Sequence, residues 1–254
     1  MAEFVGKGKG SLSKTKWTVL IHLHSRACQI GSEIVTLLKA GYADGAQARW
    51  RSLHEVAVVT AFIHAHDDLV AEQYLMHDEI EEYKSIGQQL DIDSSLGDDR
   101  NFSSYLHDLQ IRKDGLIERY GKVFSEDYGW AACVLNNRRP TFKDIEKEVN
   151  LSHLRSYYRE ASHNVHAGVR GTFSRLGLHP SVADSLLLVG VSDFGLADPG
   201  HLSALSLTHA TASILFEIAD IDSVVFMKVI LKQRDIVGRE FWKCHRKMLT
   251  TIVQ

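Results

Sequence analysis

The stretch from Leu53 to Ile63 is apolar around the whole helical circumference rather than along one stripe, which is the pattern of a helix buried on every side. A chain that carries such a helix needs several others to wrap it, so an all-α architecture is the first expectation. The N-terminal end of the same segment, AQARWRSLHEVAVVTAFIHAH, is polar: it holds Arg49, Arg51, His54 and Glu55. Arg51 and Glu55 are four residues apart and share a helix face. A charged pair beside so apolar a run must either be paired in the interior or face a cleft.

The remaining sequence supports the helical reading. Only 3 prolines and 18 glycines interrupt 254 residues, few breakers for long helices. Residues 1–12 read as a flexible basic arm and 13–254 as a single helical bundle, with a loop-rich insertion around 168–200. Ser11 or Ser13 caps a helix running to about Lys39. GYADG then breaks the chain, with Asp44 as the next N-cap. Asp67 and Asp68 begin a helix to about Gln89, residues 91–101 form a polar loop, and a further helix covers about 103–124. Thr141 with Asp144 three residues on resembles a capping box. A helix from about Ser152 to Ala167 follows, with Gly168 at its C-terminal end. LLLVGV, at 186–191, is the one stretch that could form a short strand, and two closing helices are expected at about 201–231 and 236–252.

Bulk properties narrow the environment. The 3 cysteines, Cys28, Cys133 and Cys244, are scattered and read as free thiols in a reducing compartment. No run of 18 residues is apolar enough to cross a membrane, and the start of the chain lacks the apolar core of a secretion signal. A cytoplasmic protein without a membrane partner is the expectation. The formal net charge of -3 gives no overall basic field for nucleic acid.

YYREASHNVHAG, residues 157–168, carries the sharpest chemical signal. On a continuous helix Arg159, His163 and His166 fall at i, i+4 and i+7, on one face. Arg159 and His166 also fit R-x(4–6)-H, the signature of HEPN-type ribonucleases. A histidine can take or give the proton when the RNA 2′-hydroxyl attacks the phosphate. An arginine can hold the charge that builds there. No metal and no cofactor is expected in such a site, and two protomers usually complete it. The alternative is a packing seam in which Arg159 pairs with an acid and His166 bonds a neighbouring helix. Glu160 and His163 also form an E-x-x-H, the spacing of di-metal bundles, which need a second such motif that this sequence lacks. SDFG at 192–195 and GKGKGS near the start lack the partner motifs that would give them meaning.

Three motifs in order, Arg51-Ser-Leu53-His54-Glu55, Tyr128-Gly-Trp130-Ala and Ser162-His-Asn-Val165-His166, resemble those of an HEPN-like bacterial family of unknown function. The likeness runs over roughly residues 15–215. It implies an all-α, HEPN-like fold with Arg51, Glu55, Ser162 and His166 drawn into one site from two helices. Glu55 would orient the His166 imidazole. From these features the expected function is binding or cleaving RNA without a metal, as a toxin or phage-defence effector, by a homodimer with a regulatory protein as a further partner. His166, Arg159 and Glu55 are the catalytic candidates, and Arg51, Ser162 and His163 the substrate-binding ones. The competing expectations are a non-enzymatic helical interaction module whose Arg/Glu/His seam is structural and, third, a metal-dependent hydrolase built on Glu160 and His163.

Overall fold

A computed structural model describes residues 13–92, 100–181 and 186–251. The basic arm expected at 1–12 and most of the polar loop expected at 91–101 lie outside the described residues. The chain is all-α, a helical bundle, and the described residues contain no strand: LLLVGV is irregular and largely exposed. Two compact units divide it, one from residues 1–64 with 149–254 and one from 65–148.

In the first unit, α1 (Lys14–Lys39) starts at Ser13, whose hydroxyl accepts from the Lys16 amide at 3.1 Å. This side-chain cap satisfies one of the free donors of the first turn. α2 (Ala43–Ala65) contains the segment that is apolar all round, and no residue from 43 to 64 is exposed. Trp50, Leu53, Ala57, Val58, Phe62 and Ile63 are fully buried. Each of the larger of these side chains contributes about 1.5–3 kcal/mol by leaving water. The Trp50 indole donates to the Leu202 carbonyl and to Ser206 Oγ, both at 3.0 Å, which fixes α2 against α10 (Ala197–Ile218). Asp44 lies in the first turn of α2, and its carboxylate accepts from the Leu176 amide at 3.0 Å. At the far end of α2, Lys16 Nζ donates to the His64 carbonyl and lies 3.6 Å from Glu217, tying α1, α2 and α10 together.

α10 packs on both α1 and α11 (Ile221–Thr251). The break between α10 and α11 comes at Ala219–Asp220, earlier than the sequence implied. Ala219 adopts a left-handed conformation, φ 50°. Asp220 accepts from both the amide and the hydroxyl of Ser223 at 2.7 and 2.6 Å, so a side-chain cap restarts the chain. The helix expected at 152–167 is also shorter. A 3₁₀ turn at Ser152–Leu154 leads into α8 (Arg155–His163), which ends four residues early. The cause is tertiary: α9 (Val169–Phe173) lies against the end of α8, and a Cβ at Gly171 would stand 1.8 Å from the His163 carbonyl oxygen.

The second unit holds α3 (Asp68–Met76), α4 (Asp78–Ile92), α5 (Arg100–Tyr120), α6 (Ala132–Leu135) and α7 (Phe142–Glu148). The single helix expected from Asp67 to Gln89 is two helices, broken at His77. That imidazole is buried, donates from Nε2 to the Glu126 carbonyl at 2.8 Å and meets the Phe124 ring edge-on. Gly129 of the Tyr128-Gly-Trp130-Ala motif sits where a Cβ would be 2.5 Å from the Val123 and Phe124 carbonyls, so a larger residue cannot close this turn. Thr141 and Asp144 form the expected reciprocal cap, with the Thr141 amide donating to Asp144 at 2.9 Å and the Asp144 amide meeting Thr141 Oγ1 at 3.4 Å.

Candidate functional site

The centre of the polar seam is Tyr158. It faces inward from α8 and is only 6% exposed, and a buried phenol needs a partner for its hydroxyl. The Tyr158 hydroxyl donates to Glu55 Oε1 and accepts from Arg51 Nη2 at 2.9 Å. Arg51 and Glu55 approach each other to 3.3 Å along α2. The Arg51 guanidinium lies 4.8 Å from the Tyr158 ring centre, and that of Arg155 lies 5.1 Å from it. Beneath them the fully buried His54 stacks on Trp50, ring centres 5.3 Å apart, and tilts toward Tyr158 at 5.8 Å. Burial first, and then the neighbouring Glu55 carboxylate, push the Tyr158 phenol well above its ordinary range. The phenol therefore stays protonated and keeps donating.

Arg51 and Glu55 are thus brought together, but the group between them is Tyr158. Ser162 is one turn further along α8, and its hydroxyl donates to the Tyr158 carbonyl at 3.0 Å. Such back-bonding commits the hydroxyl to its own helix. His166 lies beyond the end of α8 and is exposed, its amide 3.3 Å from the Ser162 carbonyl. The structure does not bring it to Glu55, and the i, i+4, i+7 face ends at i+4. Arg159 is exposed and, among the described residues, has no ion-pair partner.

His163 is half-buried and lines a cleft of ≈ 130 Å³ with Gln47, Tyr157, Arg170 and Asp198. Glu160, the other half of the E-x-x-H, is paired with Arg170. Among the described residues no group of three or more His, Cys, Asp or Glu is placed to hold a metal ion. No described helix is long and apolar enough to cross a membrane. Tyr158 is the residue that motif reading passes over, while His54 stands in the Arg51–Glu55 motif without a role assigned to it. The sequence signal for Tyr158 is that it is the one polar tip in the core stripe of its helix, facing a helix with an Arg/Glu pair.

Charge is divided unevenly. The unit of residues 1–64 and 149–254 has 19 Lys and Arg against 13 Asp and Glu, whereas residues 65–148 have 10 against 19. Residues 152–175 alone hold 4 Arg and 3 His against 1 Glu. The exposed rings Tyr157 and Phe173 stand in the same stretch, 40% and 79% exposed.

The fold and site define an all-helical protein with a hydrogen-bonded Arg–Tyr–Glu seam on one side of a short helix and a basic, aromatic surface around it. The chain belongs to the Family of unknown function (DUF5677), which matches residues 18–181. That span includes every residue of the seam and of α8 and α9, and it stops before α10. No curated protein and no solved structure matches the chain.

Proposed function

We propose that this chain is an HEPN-like RNA-binding protein whose RNA-facing surface is formed by α8 and α9. The observation that carries this reading is that Arg159 and Arg175 stand exposed in a stretch, 152–175, that holds four arginines and three histidines against the single acid Glu160, within a chain of net charge -3. Phosphates are bound by arginine through charge and paired hydrogen bonds. Exposed aromatic rings such as Tyr157 and Phe173 give unpaired bases a stacking surface. Arg159 and Arg175 are exposed and carry no ion pair among the described residues, so neither must leave a protein partner to meet a phosphate.

On this surface His166 acts as the proton-transfer group and Arg159 stabilises the phosphorane charge, giving RNA cleavage without a metal. A second copy of the chain completes the site. The test is cleavage of a single-stranded RNA in chelator by the purified protein and by His166→Ala. The variant should lose at least about 10²-fold in rate while still binding RNA. Equal rates in the two proteins would remove the catalytic role of His166, and absence of RNA binding by the parent would remove the reading itself.

A second reading applies to Arg51 and Glu55: they form a structural element of a helical module. What favours it is that the Tyr158 hydroxyl answers both of them. The two readings are compatible because they occupy opposite sides of α8.

A further inference from the structure

The cleft between α2, α8, α9 and the start of α10 contains an unanswered polar group. Gln47, one helical turn before Arg51, is 3% exposed, and its Oε1 is buried without a hydrogen-bond partner. A buried carbonyl oxygen left unbonded is costly, and native interiors contain few of them. Asp198, in the first turn of α10, lines the same cleft, and burial raises its carboxyl above the usual range. Both groups present acceptors, so a complementary ligand must bring N–H donors. The cleft also includes the Arg170 and Arg175 side chains and the half-exposed Tyr157 ring. Glu160 lines the cleft too and holds Arg170, so Arg175 is the cleft's unpaired charge among the described residues. A cationic side chain of a protein partner would meet it, whereas a flat ring with an amino group and an attached phosphate suits Gln47, Asp198 and Arg175 together.

We propose that this cleft is the base pocket of the RNA-binding surface, admitting a nucleobase with an exocyclic amine and disfavouring uracil. It rests on the RNA-binding reading above. Adenine, cytosine and guanine each carry an amino group that can donate to Gln47 Oε1 or Asp198, and guanine adds a ring N–H. Uracil has no exocyclic amine: its single ring N–H lies between two carbonyl oxygens, so it can answer one of the two acceptors only by bringing a carbonyl oxygen close to the other. Tyr157 supplies the stacking face, and Arg175 holds the phosphate next to the bound base.

The experiment measures binding of labelled oligo(rA), oligo(rC) and oligo(rU) of equal length, at one salt concentration, by fluorescence anisotropy. The parent should bind oligo(rA) and oligo(rC) about tenfold more tightly than oligo(rU), the lower range for one good base contact. Gln47→Leu keeps the side-chain volume and removes the orphan acceptor. It should reduce the preference to within about twofold, leave oligo(rU) binding unchanged and melt no lower than the parent. Asp198→Asn should weaken the preference in the same direction and decides the matter if Gln47→Leu fails to fold. Equal binding of the three oligonucleotides by the parent, or a preference that survives both substitutions, overturns the base pocket and leaves RNA binding standing. Failure of the parent to bind any of them overturns the RNA-binding reading and the pocket with it.

Discussion

The two sides of α8 treat the same kinds of side chain in opposite ways. Inward, Tyr158 answers Arg51 and Glu55 with a hydrogen bond to each, and Ser162 bonds its own helix. Outward, Arg159 has no ion-pair partner among the described residues, and His166 is exposed past the helix end. Charged groups that are answered within the fold contribute to stability and to the fixed geometry of the helices. Charged groups held exposed and unanswered are free to meet a ligand. The family resemblance implied one site of Arg51, Glu55, Ser162 and His166, and the structure leaves His166 apart from the other three.

If that division is right, substitutions on the two sides must separate stability from RNA chemistry. The largest effect is expected for His166→Ala, where RNA cleavage falls by at least about 10²-fold and the melting temperature stays within a degree or so of the parent. A drop in melting temperature with unchanged cleavage would reverse the assignment. Next comes Tyr158→Phe, which removes the hydroxyl shared by Arg51 and Glu55. Because these two are 28% and 37% exposed, water can partly replace it, and a loss of about 1–2 kcal/mol is expected. Thermal or urea unfolding would read this loss, and RNA affinity should not change. Weakened RNA binding in Tyr158→Phe, with unchanged stability, would place the seam in the ligand site.

Two pH effects follow with smaller amplitude. The phenol of Tyr158 is raised in the folded state, so its contribution is fully present below the ordinary phenol range near pH 10 and is lost as pH rises through the higher folded value. Tyr74 and Tyr105 are raised too, by burial and by the hydrogen bond to Glu82 respectively, so in an alkaline absorbance titration Tyr158→Phe should lose one tyrosine from the late-titrating group and none from the early one. His24, His77 and His209 are all lowered, in each case chiefly by burial. Their neutral forms favour the fold above the ordinary histidine value of 6.5, and that contribution declines as pH falls below it toward the folded values. Unfolding midpoints should therefore fall between about pH 7 and pH 5, and a flat profile would show that these imidazoles stay uncharged without cost.

Much of the fold was legible in the sequence. The apolar circumference of Leu53–Ile63 announced α2, Ser13 was one of the two serines that marked the start of α1, and Thr141 with Asp144 marked α7, because each depends on neighbouring residues alone. The elements misjudged depend on distant ones. α8 stops at His163 because the backbone at Gly171 occupies the space beside its last turn. α3 ends at His77 because that ring is held by the Glu126 carbonyl and Phe124. Ala219 gave no warning of a left-handed residue, since alanine has no preference for that conformation. At the site, the Arg51/Glu55 pair was visible as an i, i+4 oddity, but its partner was hidden in the core stripe as an ordinary aromatic. The uneven charge of the two units was concealed in the net value of -3, which by itself argues against nucleic acid.

The measurement that bears most directly on the outer face is the salt dependence of single-stranded RNA binding by the parent, Arg159→Ala and Arg51→Ala. Removing one arginine–phosphate pairing should lower the slope of log affinity against log salt by about 0.7. If the outer side of α8 binds RNA, Arg159→Ala lowers the slope by about that amount and Arg51→Ala leaves it unchanged. Equal slopes for the parent and Arg159→Ala, or a lowered slope in Arg51→Ala alone, would contradict the assignment of ligand binding to the outer side and structure to the inner.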